Sequence, residues 1–307
     1  HQEYMGGLIH DGTFLYYFYH TDQSGTSMWR VNPNQVVNST TTDTVCSSGG
    51  VNPCIIKSPM TALAEAPGEY PRMEKVGDKI FFKMKLSQVD PNYSLFMLKT
   101  GDSLNTTGGL CTDGTSNPCV LGSSSVEYFN KVDGKIYYGV HEGGGHDLYE
   151  TDGIATTKIA DLSVATTTTS GYISEVVKNG NDLLFLIGDT SSSTLQLWKI
   201  SSGVASLIKN IGTESGAGGS DVLEGRQIVS AHGKTFFVVD LNRDGGIHTQ
   251  NIWESDGTAI GTTEKIDLKI GSSVNRVDIA SSSNQLVIAA DINDDKGKEL
   301  WVYKDDQ

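Results

Sequence analysis

The chain has 307 residues, enough to bury a sizeable core, and 37 acidic against 23 basic residues give a net charge of −14. That balance, with no basic stripe to offset it, argues against nucleic acid and anionic membrane as partners and favours solubility and cation attraction. No run of about 18 apolar residues occurs, so membrane insertion by a helix is not expected, and no basic-then-apolar leader opens the sequence, which leaves any export signal outside it.

Short apolar runs separated by Ser, Thr, Gly, Asp and Asn, without a 3.6-residue period, predict strands throughout. The first unit, residues 3–45, reads as a strand in "EYMGGLIH", a turn at Asp11-Gly12, a second strand in "TFLYYFY" and a third around Trp29 in "GTSMWRV". The second unit, 72–110, repeats this with "VGDKIFFKMK" and "YSLFMLKTGDS" around Phe96. In the third, 125–163, "VEYFNK", "GKIYYGV", "HDLYETDG" around Tyr149 and "TTKIADL" give four strands. The fourth, 172–212, follows with "SEVVKN", "NDLLFLIG", "LQLWKI" around Trp198 and "ASLIKNI". The fifth, 225–269, has "RQIVSA", "GKTFFVVD", "NIWESDG" around Trp253 and "TTEKIDL". The sixth, 275–307, supplies "NRVDIA", "NQLVIAAD" and "KELWVYKD" around Trp301 but no fourth strand before Gln307.

All four tryptophans therefore occupy one repeat position, and the six anchors are separated by 67, 53, 49, 55 and 48 residues. Units of about 50 residues with four short strands, labelled A to D, predict an all-β, six-bladed β-propeller as a single domain, with four-stranded antiparallel blades and an incomplete last blade. A WD-type propeller would need shorter units with Gly-His and Trp-Asp signatures. "NIWESDGTAIGTT" (251–263), "DLYETDGIATT" (147–157) and "KELW" (298–301) resemble the bacterial exported repeat that reads E-L-W-x-S-D-G-T-x-x-G-T. The resemblance implies propeller blades and an exported, secreted or cell-surface location. It transfers no catalytic residues.

Two cysteine loops, "CSSGGVNPC" (46–54) and "CTDGTSNPC" (111–119), share their length and their Asn-Pro-Cys ending. Turn-forming Gly and Asn-Pro favour the local pairs Cys46–Cys54 and Cys111–Cys119, and stable disulfides imply an oxidising compartment. Free thiols and a four-cysteine zinc site are the alternatives, the latter with unsuitable spacing. Both loops are expected as D–A connections after blades one and two. Blade geometry then puts them, with the irregular B–C loops, on the face opposite the tight A–B and C–D turns.

"DLNRDGG" (240–246) places Asp240, Asn242 and Asp244 at alternate positions before a glycine, like the start of an EF-hand-type calcium loop, though Asn251 stands where the bidentate Glu should be. "DINDDKG" (291–297) is a looser version with Asp291, Asn293 and Asp295. Asp, Asn and Gly are also ordinary turn residues. "HEGGGH" (141–146) superficially suggests a zinc-protease motif, but its spacing is wrong and three glycines break any helix, so a structural B–C loop is expected. "SLIK" (206–209) lies in a predicted strand without partner motifs, and no G-x-S-x-G elbow occurs. Asn38, Asn92 and Asn105 head glycosylation sequons.

With no catalytic constellation in view, the sequence favours a non-enzymatic exported module that binds protein or glycan at the B–C face or serves in a surface assembly. A neighbouring chain at the open edge of blade six is a further expected partner. The alternative is a propeller-fold polysaccharide hydrolase or lyase using strand-A carboxylates around a central channel, with Glu3, Glu74, Glu127, Glu175 and Asp278 as candidates. Calcium binding by the 240–244 and 291–295 loops is checked by calorimetric titration of calcium to millimolar levels. Saturable heat is expected, and none would remove both loops as sites.

Overall fold

The computed structural model describes residues 3–21, 25–35, 46, 52–60, 72–85, 92–102, 104, 110–111, 117–121, 125–142, 145–162, 171–189, 194–211, 222–243, 247–268, 277–290 and 297–304. These residues form an all-β, six-bladed β-propeller fold of antiparallel sheets taken in chain order. Blade one is β1 (Glu3–His10), β2 (Leu15–Thr21), β3 (Gly25–Val31) and β4 (Cys54–Met60). Blade two is β5 (Met73–Val76), β6 (Lys79–Lys85), β7 (Tyr93–Lys99) and β8 (Cys119–Val120). Blade three is β9 (Val126–Val132), β10 (Lys135–Glu142), β11 (Gly145–Thr151) and β12 (Thr156–Asp161). Blade four is β13 (Gly171–Ile173), β14 (Val177–Asn179), β15 (Asp182–Asp189), β16 (Thr194–Ser201) and β17 (Val204–Asn210). Blade five is β18 (Val222–Ala231), β19 (Lys234–Arg243), β20 (Ile247–Ser255) and β21 (Thr263–Asp267). Blade six is β22 (Asp278–Ser282), β23 (Gln285–Ala290) and β24 (Glu299–Tyr303), three strands among the described residues.

Two details differ from expectation. The limits 3–45 and 72–110 stop short, because strand D of blades one and two begins at Cys54 and Cys119, after the cysteine loop. Both loops are thus C–D connections rather than D–A connections, and antiparallel pairing puts them at the end of the blade that carries the A–B turns. These two blades lack the Ser/Thr-Asp-Gly corner, so the chain reaches strand D by a longer, disulfide-closed path. In blade four, strand A is split at Ser174–Val176 into β13 and β14, both paired with β15. The Ser174 hydroxyl accepts from the Leu186 N–H at 2.8 Å while the Ser174 N–H donates to the Leu186 carbonyl at 2.9 Å, so the ladder survives the break.

All six anchors lie in strand C. Across strand B, Trp29 faces Tyr17, Phe96 faces Phe82, Trp198 faces Phe185, Trp253 faces Phe237 and Trp301 faces Ile288. Tyr17–Trp29, Phe82–Phe96, Tyr138–Tyr149 and Phe237–Trp253 stack with centroids 5.4 to 6.4 Å apart. Such cross-strand pairs contribute roughly 0.2–1 kcal/mol each. Where strand D passes the anchor it carries one extra residue, Ile56 in blade one, Ile208 in blade four and Lys265 in blade five. This is a β-bulge recurring at one repeat position.

The chain divides into two compact units, residues 1–136 with 150–157, and 137–149 with 158–307. In the first, Tyr16, Phe18, Met28 and Ile56 of blade one pack against Ile80, Phe82, Met84 and Phe96 of blade two. In the second, strand β19 faces two cores at once. Phe237 and Val239 join Leu184, Leu186, Leu195 and Leu197 of blade four, while Phe236 and Val238 join Ile279, Leu286 and Ile288 of blade six. Burial on both faces explains why B strands such as "TFFVV" are continuous apolar runs without alternation.

The C–D corner varies between blades, and in blade four it is a tight two-residue turn at Ser202-Gly203, with φ +50° and +79°. In blades three and five the Asp carboxylate accepts from the turn's own backbone. Asp152 Oδ1 takes the Ile154 and Ala155 N–H groups at 2.7 and 2.9 Å, and Asp256 Oδ1 takes the Thr258 N–H and hydroxyl at 2.8 and 2.7 Å. Gly153 and Gly257 follow at φ +81° and +90°. These corners also rest on the preceding blade: a Cβ on Gly153 would lie 2.5 Å from the Lys79 side chain and 2.6 Å from Met97 Sδ, and Lys199 Nζ donates to the Gly257 carbonyl at 3.4 Å. In blades one and two the buried Asn of Asn-Pro-Cys does the work. Asn52 pairs with both the N–H and the carbonyl of Asn32, at 2.7 and 2.9 Å. Asn117 does the same to Lys99, at 2.8 and 2.9 Å. The disulfides Cys46–Cys54 and Cys111–Cys119 close both loops.

Gly257→Ala keeps open space and suffers only backbone strain, about 1 kcal/mol. Gly153→Ala adds a clash with Lys79 and Met97, roughly 2–4 kcal/mol in all. Urea denaturation of the two variants is expected to show the larger midpoint drop for Gly153→Ala, and equal drops would contradict the close docking.

Candidate functional site

Four of the five candidate carboxylates lie on strand A: Glu3 on β1, Glu74 on β5, Glu127 on β9 and Asp278 on β22. Glu175 falls in the break between β13 and β14, and the Glu3 side chain lies outside the described residues. Glu74 Oε1 accepts from Arg72 Nε at 3.2 Å. The Glu127 backbone carbonyl accepts from Lys83 Nζ at 2.7 Å. Asp278 is clamped: Gln227 Nε2 donates to its Oδ1 at 2.8 Å, Lys298 Nζ pairs with its Oδ2, and Gln227 Oε1 accepts the Ile279 N–H at 2.6 Å. This amide–carboxylate clamp joins strand A of blade five to strand A of blade six. Among the described residues, no group of three His, Cys, Asp or Glu side chains could hold a metal ion.

At the B–C end of blade three, "HEGGGH" is more regular than the expected loop. Strand β10 runs to Glu142 and β11 starts at Gly145, so both histidines sit in strands and only Gly143-Gly144 lie between them, outside the described residues. His146 is fully buried, and its ring lies 4.8 Å from that of His141. Next to it, buried Asp147 pairs with Lys158 Nζ of β12 at 2.7 Å, a hydrogen bond that raises the lysine's pKa. Burial and then the Glu142 charge push the Tyr149 phenol up. Glu142, Asp147, Tyr149 and Lys158 form a cluster of donors and acceptors beside the Tyr138–Tyr149 stack, whereas strand alternation puts His141 and His146 on the opposite face of the hairpin. The Asp147–Lys158 pair was not visible as sequence, because ten residues and a turn separate its partners.

The six residues considered for calcium fare unevenly. Asp240 is buried in β19, and its Oδ2 accepts from Gln250 Nε2 at 2.9 Å, while Gln250 Oε1 accepts the Val277 N–H at 2.6 Å. The Asn242 backbone belongs to β19, but its side chain, and all of Asp244, Asp291, Asn293 and Asp295, lie outside the described residues. Sequon residues Asn38 and Asn105 lie outside them too, while Asn92 is half-buried with its Oδ1 near the Ser125 hydroxyl at 3.4 Å.

Sequence reasoning also passed over Tyr172. Its ring lies against Gly188, where a Cβ would collide with it, and its hydroxyl accepts the Gly225 N–H. The signal was present in "FLIGD" and "LEGR", since glycine inside a strand marks close approach by another group.

No protein-family model matches the chain, and no curated protein matches it. Solved structures similar to it include oligopeptidase B from Leishmania major, at 12% identity over 100% of this chain and 40% of that one, with a TM-score of 0.47. The β-propeller domain of the trilobed protease from Pyrococcus furiosus, described as having an open velcro topology, is 11% identical over 96% of this chain and 76% of that one, TM-score 0.46. An endo-arabinase from Bacteroides thetaiotaomicron is 12% identical over 77% and 94% of the two chains, TM-score 0.38. The chain spans 40% of the length of the oligopeptidase B structure. The propeller assignment rests on the six sheets themselves.

Three turn aspartates carry depressed pKa values. At Asp152 the Ala155 and Ile154 N–H groups are the cause; at Asp256, the Thr258 hydroxyl and N–H. At Asp11, partial burial pushes upward, but the Phe14 and Thr13 N–H groups and the Tyr16 hydroxyl outweigh it. A carboxyl depressed by folding stabilises the fold above its unfolded pKa of about 3.9, and that contribution is lost as pH falls through the folded value. Thermal melting from pH 6 to 2 is therefore expected to show the midpoint falling below about pH 4. The triple variant Asp11→Asn, Asp152→Asn, Asp256→Asn keeps the turn acceptors without the charge and should lose less on acidification; an unchanged slope would contradict this.

Proposed function

We propose that the chain is an exported, disulfide-braced propeller module that binds protein or glycan, or takes part in a surface assembly, through the B–C end of its blades. One observation carries this reading: the best-defined strand-A carboxylate, Asp278, is held by Gln227 and Lys298 in a structural clamp between blades. A hydrolase needs one carboxyl free to give a proton and a second to take one or to attack. The two disulfides are consistent with an extracytoplasmic location. The resemblance of blades three, five and six to the exported E-L-W-x-S-D-G-T repeat supports the same setting, and the proposal extends it to the whole single domain. Calcium at 240–244 and 291–295 enters as a stabiliser of those loops rather than as part of any reaction.

The test is a glycan array and cross-linking at the producing cell surface, run beside incubations with polysaccharides. Binding without turnover is expected, weakened about tenfold by Glu142→Ala with Tyr149→Ala, the loss of two contacts of about 0.7 kcal/mol each. Release of reducing ends or unsaturated sugars, abolished by Glu74→Gln or Glu127→Gln, would reassign the chain as a polysaccharide hydrolase or lyase.

A further inference from the structure

The face of the blade-three hairpin that carries His141 and His146 has no part in the cluster around Tyr149. His141 stands three residues after Tyr138 and His146 three before Tyr149, so the histidines oppose each other across β10 and β11 in the register that stacks the tyrosines. Their rings lie 4.8 Å apart and are tilted by 31°. His146 is fully buried and His141 partly so. His141 Nε2 is itself buried, with no hydrogen-bond partner among the described residues. A buried ring nitrogen that no protein group serves is costly, and it calls for a bound water or ion. Sister blades fill the same register position without this difficulty. Gly188 faces Leu195 in blade four, and in blade five Asp240 faces Gln250 and is hydrogen-bonded to it at 2.9 Å.

We propose that His141 and His146 chelate one divalent transition-metal ion of the zinc, nickel or copper class. Imidazole suits these metals, whereas calcium and magnesium take oxygen ligands, so this site is chemically distinct from the 240–244 and 291–295 loops. The spacing fits. A tetrahedral ion bonded to one nitrogen of each ring at about 2.0–2.1 Å sets the ring centroids roughly 5 Å apart, and the observed separation is 4.8 Å. No third His, Cys, Asp or Glu completes the set among the described residues. Two imidazoles therefore hold the ion, and the partly exposed His141 leaves its other positions to water. Such a site exchanges its metal, unlike a closed structural zinc cage with four protein ligands. The net charge of −14 raises the local concentration of cations. A bound ion ties β10 to β11 at the B–C end, and so braces the hairpin whose other face carries Glu142, Asp147 and Tyr149.

The probe is zinc chloride, titrated calorimetrically into chelator-treated protein in the presence of excess calcium. Saturable uptake of one equivalent in the micromolar range is expected, with a rise in the melting midpoint. His141→Ala, whose fold is verified by its metal-free melting curve, should weaken uptake roughly tenfold or more and abolish the rise. His10→Ala, an exposed histidine on blade one, should change neither. Absence of saturable uptake, or uptake unchanged in His141→Ala, overturns the site. A second measurement needs no variant: copper(II) loaded at one equivalent should show electron-spin coupling to two imidazole nitrogens, and coupling to one or none also overturns it. Glycan or protein binding is tested through Glu142 and Tyr149 on the opposite face, so either proposal can fail without the other.

Discussion

The interaction on which the rest of this structure depends is the meeting of a bulky anchor in strand C with a large side chain in strand B. It recurs as Tyr17–Trp29, Phe82–Phe96, Tyr138–Tyr149 and Phe237–Trp253, and in a degraded form as Ile288 opposite Trp301. Each pair contributes little alone. Its larger effect is geometric. The pair fixes the B–C register, and strand D bulges where it passes the anchor, turning one residue out of the regular alternation. In blades one and four that residue is Ile56 or Ile208, and it goes into an apolar core. In blade five it is Lys265, whose ammonium lies 5.8 Å from the Tyr303 ring centroid of blade six.

Around this constant centre the corners vary. A Ser/Thr-Asp-Gly corner folds on itself, with the carboxylate taking the turn's N–H groups and a glycine supplying the positive φ. It is also seated on the preceding blade, so a local turn signal doubles as a contact between sheets. In blades one and two the cysteine loop replaces it, and an asparagine side chain stands in for a missing stretch of main chain. The two solutions share an outcome, strand D delivered beside strand C, and nothing else chemically.

Much of this was legible in the residues. The anchors, the turn signals and the continuous apolar B strands identified the blades, because they encode contacts local in sequence. The disulfide pairing was legible for the same reason. The placement of the cysteine loops was not: "CIIKSPM" and "CV" are weak strand signals, and only pairing with β3 and β7 identifies them as strands D. Nor was the split strand A of blade four, which depends on the Ser174 hydroxyl reaching Leu186. At the site, polar residues could be located on strands and loops, but the partners of Asp147 and Asp240 lie a strand away and Gln227, a partner of Asp278, lies on the preceding blade, and no local pattern records them. The buried role of Asp240 illustrates the difficulty. An oxygen-rich stretch reads alike whether its first carboxylate faces solvent or, as here, meets a glutamine across the ladder.

The Asn-Pro-Cys ending has a bearing on how such a protein can change over evolutionary time. Asn52 and Asn117 each hold the end of strand C through both its N–H and its carbonyl, and the disulfide fastens the start of strand D at the same point. Strand register is thereby set by the two ends of the connection, Asn and Cys, rather than by the length of what joins them. A Ser/Thr-Asp-Gly corner offers no such latitude, since every residue in it is committed to the turn or to the neighbouring sheet. The first two blades are therefore where this scaffold can diversify by insertion, or accept a grafted epitope, at least cost to its folding.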